Sequence, residues 1–327
     1  MPGSVIGIDL SGTQVAVAAL GDGALGESRV ARTDCSDTGA LIDQLTVLVE
    51  RTEANDLQGV GVGVDRIVEF ETGRIIPSWR PSSRATNRSL DLPLENVSLR
   101  AELADRLGVP VFVDNHSNVA ALGEAHDDQG GLVTRHLVMI SVGHGVGGGL
   151  VLGGRIYRGA TGGAAELGHT MIGLDLAGAV PAPMRFPQPG SLEFVASGNA
   201  LDGLAAQARN VHPASELGRL RAEGKPVLGD DVIRAALEGD ESAARMVEIW
   251  GQRIGIGVAN AINTFDPEEV VIGGDAARAG EILLTPAIRV ARHYAVPGVG
   301  GGVRIRLSRH GERAGVLGAA LLALYEG

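Results

Sequence analysis

Aromatic side chains are scarce in this chain, at 3% of its residues. A large core must therefore come from Ala, Val, Leu and Ile, which a hydrophobic content of 44% can supply. There is one cysteine, Cys35. It cannot form an intramolecular disulfide, and metal sites built from several cysteines are excluded. Positive charge is short as well: 28 Lys and Arg stand against 39 Asp and Glu, a formal net charge of −11. Broad nucleic-acid binding needs a basic surface that neutralises phosphate, so the balance argues against that class. Binding to an anionic membrane surface fails on the same ground. No apolar run reaches the roughly 18 residues of a spanning helix. The chain enters a strand at once, Val5-Ile6-Gly7-Ile8-Asp9, with no signal peptide. A soluble cytoplasmic protein is expected, and 327 residues suggest two domains.

The apolar pattern alternates between strands and helices, which gives the α/β class. Strands are expected at 5–10, 14–20, 28–32, 59–64, 109–113, 137–142, 150–152, 269–272 and 303–307. Helices are expected at 38–53, 97–107, 118–126, about 192–208, 230–238, 241–264, about 277–292 and 313–325. Gly108 should stop the second of these. Long loops are expected at 76–93 and 171–190. A strand, small-residue turn, strand unit occurs at 5–20 and again at 137–152. This weak repeat points to a duplicated domain plan.

Polar knots interrupt the apolar background at strand ends. Asp9-Leu10-Ser11-Gly12-Thr13 is an acid followed by a small-residue turn. Such a turn can offer backbone N–H groups and the Thr13 hydroxyl to an anion, and Asp9 could hold a hydrated Mg²⁺. An ordinary hairpin turn closed by its own side chain explains it equally well. Gly143-His144-Gly145-Val146-Gly147 is a second such turn. Asp114-Asn115-His116-Ser117-Asn118 and Glu166-Leu167-Gly168-His169 complete the set.

With Ala120-Ala121-Leu122-Gly123-Glu124, Tyr157-Arg158-Gly159-Ala160, Gly190-Ser191-Leu192-Glu193, Asp266-Pro267 and Val270 to Gly274, these motifs resemble the family of repressors, open-reading-frame products and sugar kinases (ROK). The resemblance covers nearly the whole chain. It implies an actin-like ATPase (ribonuclease H-like) α/β fold of two lobes with a duplicated sheet-helix plan. The expected lobes are 1–117 plus 308–327, and 118–307. The family's repressors carry an N-terminal helix-turn-helix, for which this chain leaves no room. The resemblance further implies a cytoplasmic homodimer that binds a sugar or sugar-like molecule, without nucleic acid or membrane. ATP and Mg²⁺ would be the cofactors. Asn115, Glu166, His169 and Glu193 would hold sugar hydroxyls, which carboxylates and amides suit because a hydroxyl both donates and accepts. Asp9, Gly12, Thr13, Gly143, His144, Gly145 and Gly147 would cradle phosphates. Gly273 and Gly274 would lie near the adenosine. For Glu166 and His169 a cap or structural hydrogen bond is the plainer alternative.

Three departures qualify the resemblance. The family's catalytic Asp is replaced by His116. An imidazole suits a general base at its unperturbed pKa, but an imidazolium beside triphosphate cannot accept a proton. His144 stands where family kinases usually have Thr. Finally, residues 171–190 hold no cysteine, so no structural zinc is expected, and Pro181, Pro183 and Phe186 would pack the loop instead. The loop at 77–93 also departs: it keeps Trp79 and adds Arg80, Arg84 and Arg88, which suit an anionic group on a ligand, although solvation or pairing with surface acids is the plainer reading. The leading expectation is ATP-dependent phosphorylation of a sugar or cyclitol hydroxyl, with His116 in the seat of the base. The alternatives are a non-catalytic sugar sensor, or a repurposed carbohydrate-modifying enzyme using His116, His144 and His169 with or without a metal.

Overall fold

The computed structural model describes residues 3–21, 23–77, 92–174, 186–208 and 215–326. In chain order the strands and helices are β1 (Ser4–Leu10), β2 (Gln14–Gly21), β3 (Ala24–Leu25), β4 (Arg29–Arg32), α1 (Thr38–Glu50), β5 (Leu57–Val64), β6 (Val68–Glu69) and β7 (Arg74–Ile75). There follow α2 (Leu99–Leu107), β8 (Val111–Asn115), α3 (His116–Glu124), β9 (Leu137–Val142), β10 (Val146–Leu152) and β11 (Arg155–Ile156). The remainder is α4 (Leu192–Ala196), α5 (Gly198–Gln207), α6 (Glu216–Ala222), α7 (Gly229–Leu237), α8 (Glu241–Phe265), β12 (Glu269–Gly273), α9 (Glu281–Tyr294), β13 (Arg304–Leu307) and α10 (Arg313–Glu326). Contacts divide the chain into one unit of Met1–Leu137, Gly149–Ala165 and Arg309–Gly327 and a second of Val138–Gly148 and Glu166–Ser308.

The first unit is built on the strand order β3-β2-β1-β5-β8, with β4 beside β2. β1 runs antiparallel to β2 and parallel to β5, which is parallel to β8. Side chains alternate across a strand, and β5 uses this sharply. Val60, Val62 and Val64 face the core shared with Leu41, Leu45, Leu99 and Leu103 of α1 and α2. Gly59, Gly61 and Gly63 point the other way. There α10 lies almost backbone to backbone on the sheet. A Cβ at Gly61 would fall 1.8 Å from the Ala319 carbonyl oxygen, and one at Gly7 2.0 Å from that of Val316. This explains why α10 is apolar on every side, with Ala314 to Ala323 all buried. Its other flank packs on α3, where Gly318 meets the Val119 carbonyl. The buried Glu124 carboxylate ends α3 by accepting the Arg309 and His310 N–H groups at 3.1 and 3.0 Å.

A second sheet, centred on strands of the second unit, repeats the plan. The order β10-β9-β12-β13 follows that of β2-β1-β5-β8, and β12 and β13 are again parallel. Helix α8 opens at Asp240, which accepts from the Ala243 N–H, and ends at Asp266 in the left-handed region just before Pro267. Its buried stripe, including Trp250, Ile254 and Val258, is the spine of this unit.

Two sequence expectations need correcting. The stretch 192–208 is two helices, because the Ser197 hydroxyl accepts from the Ala200 N–H and starts α5 anew. The stretch 277–292 is a 3₁₀ turn at Gly274–Ala279 followed by α9, with Gly280 in the left-handed region between them. α6 was not expected. Trp79, Arg80, Arg84, Arg88, Pro181 and Pro183 lie outside the described residues. Among the described residues no helix is long and apolar enough to cross a membrane.

Candidate functional site

In the first unit the candidate residues gather at the carboxyl ends of β1, β5 and β8. Register sets this: Asp9 lies beside Gly63, and Gly63 beside Asp114. The chain then turns into α3, so Asn115 and His116 follow at the strand tips. Asn115 is the N-cap of α3, its Oδ1 accepting from the Ser117 N–H at 2.8 Å and the Asn118 N–H at 3.4 Å. Its Nδ2 donates to the Arg66 carbonyl at 3.1 Å. The helix thus begins at His116, two residues earlier than its apolar pattern suggests.

Asp114 stiffens this corner from beneath. Its Oδ1 accepts from the Asn115 N–H at 2.7 Å and from Asn118 Nδ2 at 2.9 Å. Its Oδ2 takes Nε–H of Arg158 at 2.6 Å. Asp114 is 2% exposed, so this pair is desolvated. The Arg158 guanidinium also lies 3.5 Å over the Phe70 ring and reaches Glu326. Arg158 stands within a quoted motif, but nothing in its spacing signals this role.

His116 Nδ1 stands 2.5 Å from Asp9 Oδ1. The Asp9 charge raises the His116 pKa to about 9, against the opposing effect of burial; the hydrogen bond and Asp65 add to the rise. At neutral pH His116 is an imidazolium. Asp9 in turn rests on the first turn of α10, where a Cβ at Gly315 would be 2.2 Å from its Oδ2. A cavity of about 220 Å³ is lined by Asp9, Ser11, Gln14, Ser28, His116 and Arg313, among others. The neighbouring turn is closed by its own side chain. Ser11 Oγ accepts from the Gln14 N–H at 3.2 Å and the Thr13 N–H at 3.4 Å, while the Ser11 N–H donates to the Gln14 carbonyl. The Gly12 carbonyl takes the Cys35 thiol at 3.5 Å.

In the second unit the glycine turn between β9 and β10 is gripped at three peptide groups. Gly198 N–H donates to the Gly143 carbonyl at 2.7 Å. Asn199 Nδ2 donates to the His144 carbonyl at 3.0 Å. Glu193 Oε2 accepts the Val146 N–H at 2.8 Å. Gly145 leaves room for this contact, since a Cβ would sit 2.6 Å from that same carboxylate oxygen and push it aside. On the far side of Val146, Gly168 presses on the carbonyl, leaving 2.0 Å for a Cβ. That contact brings in the 3₁₀ turn of Glu166 and His169. His169 Nε2 and Glu166 Oε2 are 3.7 Å apart, and the His169 ring meets Phe186 edge-on at 5.6 Å. The Gly273-Gly274 turn is adjacent too: Gly274 backs on the Val142 carbonyl, and Gly143 on the Asp275 carboxylate. His144 is exposed.

The second unit therefore assembles His144, Gly145, Glu166, His169, Glu193 and Gly274 around one turn. The first assembles Asp9, Asn115 and His116. Asn199 belongs to no quoted motif. Side-chain recognition of a distant carbonyl leaves no periodic trace in sequence. Among the described residues no three His, Cys, Asp or Glu side chains are arranged to hold a metal ion, so the grouping of His116, His144 and His169 as a metal site gains no support.

Residues 5–326 match the ROK family. A glucokinase of Halalkalibacterium halodurans is 32% identical over 97% of this chain and 94% of its own length. A xylose repressor of Caldicellulosiruptor bescii is 31% identical over 81% of this chain, which corresponds to 62% of the repressor. Among solved structures, a ROK family glucokinase from Streptomyces griseus in complex with glucose and AMPPNP superposes with a TM-score of 0.77 at 26% identity, covering 99% of this chain and 100% of that one. The architecture is that of the actin-like ATPase fold. On the extent of these matches, the chain belongs to the ROK family.

Proposed function

We propose that this protein is a carbohydrate kinase that moves the γ-phosphoryl group of ATP to a hydroxyl of a sugar or cyclitol. One observation carries this reading. In the second unit Glu193 accepts the Val146 N–H, and Gly168, which lies between the hydroxyl-binding types Glu166 and His169, packs on the Val146 carbonyl, so all three gather at one glycine turn. Glu166, His169 and Glu193 hold acceptor hydroxyls. The turns at 143–147 and 273–274 serve the nucleotide.

In the first unit Asp9 offers a carboxylate to a cation, engaged by His116 through Oδ1. That donor set suits a phosphate-borne Mg²⁺ touched by one carboxylate, rather than a protein cage. When bound, Mg²⁺ neutralises charge on the phosphates. His116 then acts as a fixed cation beside the transferring group, not as the proton acceptor. The new bond joins the acceptor oxygen to phosphorus as the bond to the leaving ADP oxygen breaks. The hydroxyl proton passes to the phosphoryl oxygens or water. A loose transition state tolerates this, because positioning and charge neutralisation carry most of the catalysis. Loss of a general base costs roughly 10²–10⁴ in rate.

The ion pair of His116 with Asp9 favours a second reading, a sugar sensor that binds and does not transfer. Incubation with ATP, Mg²⁺ and a panel of sugars and cyclitols separates the two. Acceptor-stimulated ADP release supports the kinase. A ligand that raises the melting temperature with no ADP release under any acceptor supports the sensor. Turnover without ATP would overturn both.

A further inference from the structure

The glycine turn of the second unit has one hydrogen bond of its own, from the Gly143 N–H to the Gly145 carbonyl at 3.0 Å, and is otherwise held from outside. Its three grips come from one segment, residues 193–199, which spans the junction of α4 and α5. That junction is itself fixed from behind. Trp250 Nε1–H donates to the Ala196 carbonyl at 2.7 Å and to that of Ser197 at 3.2 Å, and Arg253 Nη1 donates to the Val195 carbonyl at 3.0 Å. Trp250 is fully buried in α8, so the junction is anchored to the unit's spine. A turn held by a rigid support keeps its amides oriented before a ligand arrives, which is the condition for strong anion binding.

We infer that Asn199 is a positioning residue for the phosphate turn, and that Glu193 shares this task with holding the acceptor, so that acceptor and nucleotide binding are coupled through the Val146 peptide. Glu193 has two oxygens, and Oε2 is committed to the Val146 N–H. A hydroxyl donating to Oε1 orders the carboxylate and so orders the turn. Asn199 meets only the His144 carbonyl in this grip and has no part in the acceptor set. The two residues therefore make different demands. Asn199 serves the turn alone, whereas Glu193 serves both ligands. The coupling half of this inference rests on the kinase reading; the support half does not. By linkage, acceptor must tighten nucleotide by the factor with which nucleotide tightens acceptor.

Hydrogen–deuterium exchange of residues 143–148 in ligand-free protein tests the support directly. Asn199→Asp keeps the shape and removes the donor. Glu193→Ala removes the acceptor of the Val146 N–H. Both should speed exchange in this segment while the α8 amides stay protected. Should one variant fail to fold, the other decides. Unchanged exchange at 143–148 in a folded variant overturns the inference. In steady-state kinetics Asn199→Asp should raise the nucleotide KM about tenfold with the acceptor KM unmoved, a split that general destabilisation does not produce. Glu193→Ala should raise both and abolish the mutual tightening of AMPPNP and acceptor. Equal KM effects in Asn199→Asp would also overturn it. If wild-type protein binds no nucleotide, the kinase reading fails, and the exchange result still decides whether Asn199 supports the turn.

Discussion

His116 and Asp9, 107 residues apart in sequence, face each other with Nδ1 and Oδ1 2.5 Å apart. The pairing follows from two parallel strand registers and the early start of α3. It makes His116 a cation with a pKa of about 9.

Replacing that cation by Asp tests the proposed reading of His116 as standing where a base would act. His116→Asp places a second carboxylate beside Asp9, and like charges there are unfavourable without a cation. The variant should melt lower than wild type in EDTA and recover with Mg²⁺. Its acceptor-stimulated ADP release should exceed that of wild type by roughly 10²-fold, the lower range for a general base. Equal rates in the two proteins would show that proton removal does not limit turnover.

Stability should respond to pH at both ends through two histidines of opposite sign. The folded pKa of His116 lies above its unfolded value of 6.5. Its contribution is whole below pH 6.5 and is lost as pH rises through about 9. Burial, the larger influence, lowers the pKa of His126 despite its hydrogen bond to the Leu122 carbonyl. Its contribution is present above pH 6.5 and is lost as pH falls through the folded value. Melting curves of metal-free protein from pH 5 to 10 should therefore flatten on the alkaline side in His116→Gln and on the acid side in His126→Gln.

Gly315→Ala should destabilise by about 1–3 kcal/mol, the usual cost of an atom forced into a filled space. The displaced atom is Asp9 Oδ2, 2.2 Å from the new Cβ. Asp9→Ala makes room, so urea titrations of the double variant should show less destabilisation than the sum of the singles. Strict additivity would mean that α10 moves and Asp9 does not.

Arg158→Met should cost about 3 kcal/mol or more, because it strands a buried carboxylate. Asp114 takes its Arg158 hydrogen bond at 2.6 Å and is almost sealed from solvent. Adding Asp114→Asn removes the stranded charge while leaving an oxygen for the Asn115 N–H, so it should recover part of the loss in urea denaturation.

Much of this was legible in sequence. The alternating Gly-Val run of β5, the Gly108 stop and the two strand-turn-strand units follow from local rules, and they suffice for the α/β class and its duplication. Ser197 was harder. It sits in an apolar-periodic stretch, and only its hydroxyl cap reveals that one helix is two. The candidate residues were named by resemblance, but their partners were not. Glu193 reaches Val146 across 47 residues, and Asn199 reaches His144 across 55. Such contacts obey no period, and either partner could equally have faced water. The role of Gly315 was hidden for the same reason: its meaning lies in Asp9, on a strand that α10 covers.

The placement of α10 has a consequence for biosynthesis. The first unit buries this helix against β1, β2 and β5, yet it is translated after the whole of β12, α9 and β13. On the ribosome, β1 and β5 must wait with Gly7 and Gly61 uncovered while the second unit condenses. Nascent chains halted before Arg313 should thus present a folded second unit joined to an unfinished first one that chaperones hold and proteases cut.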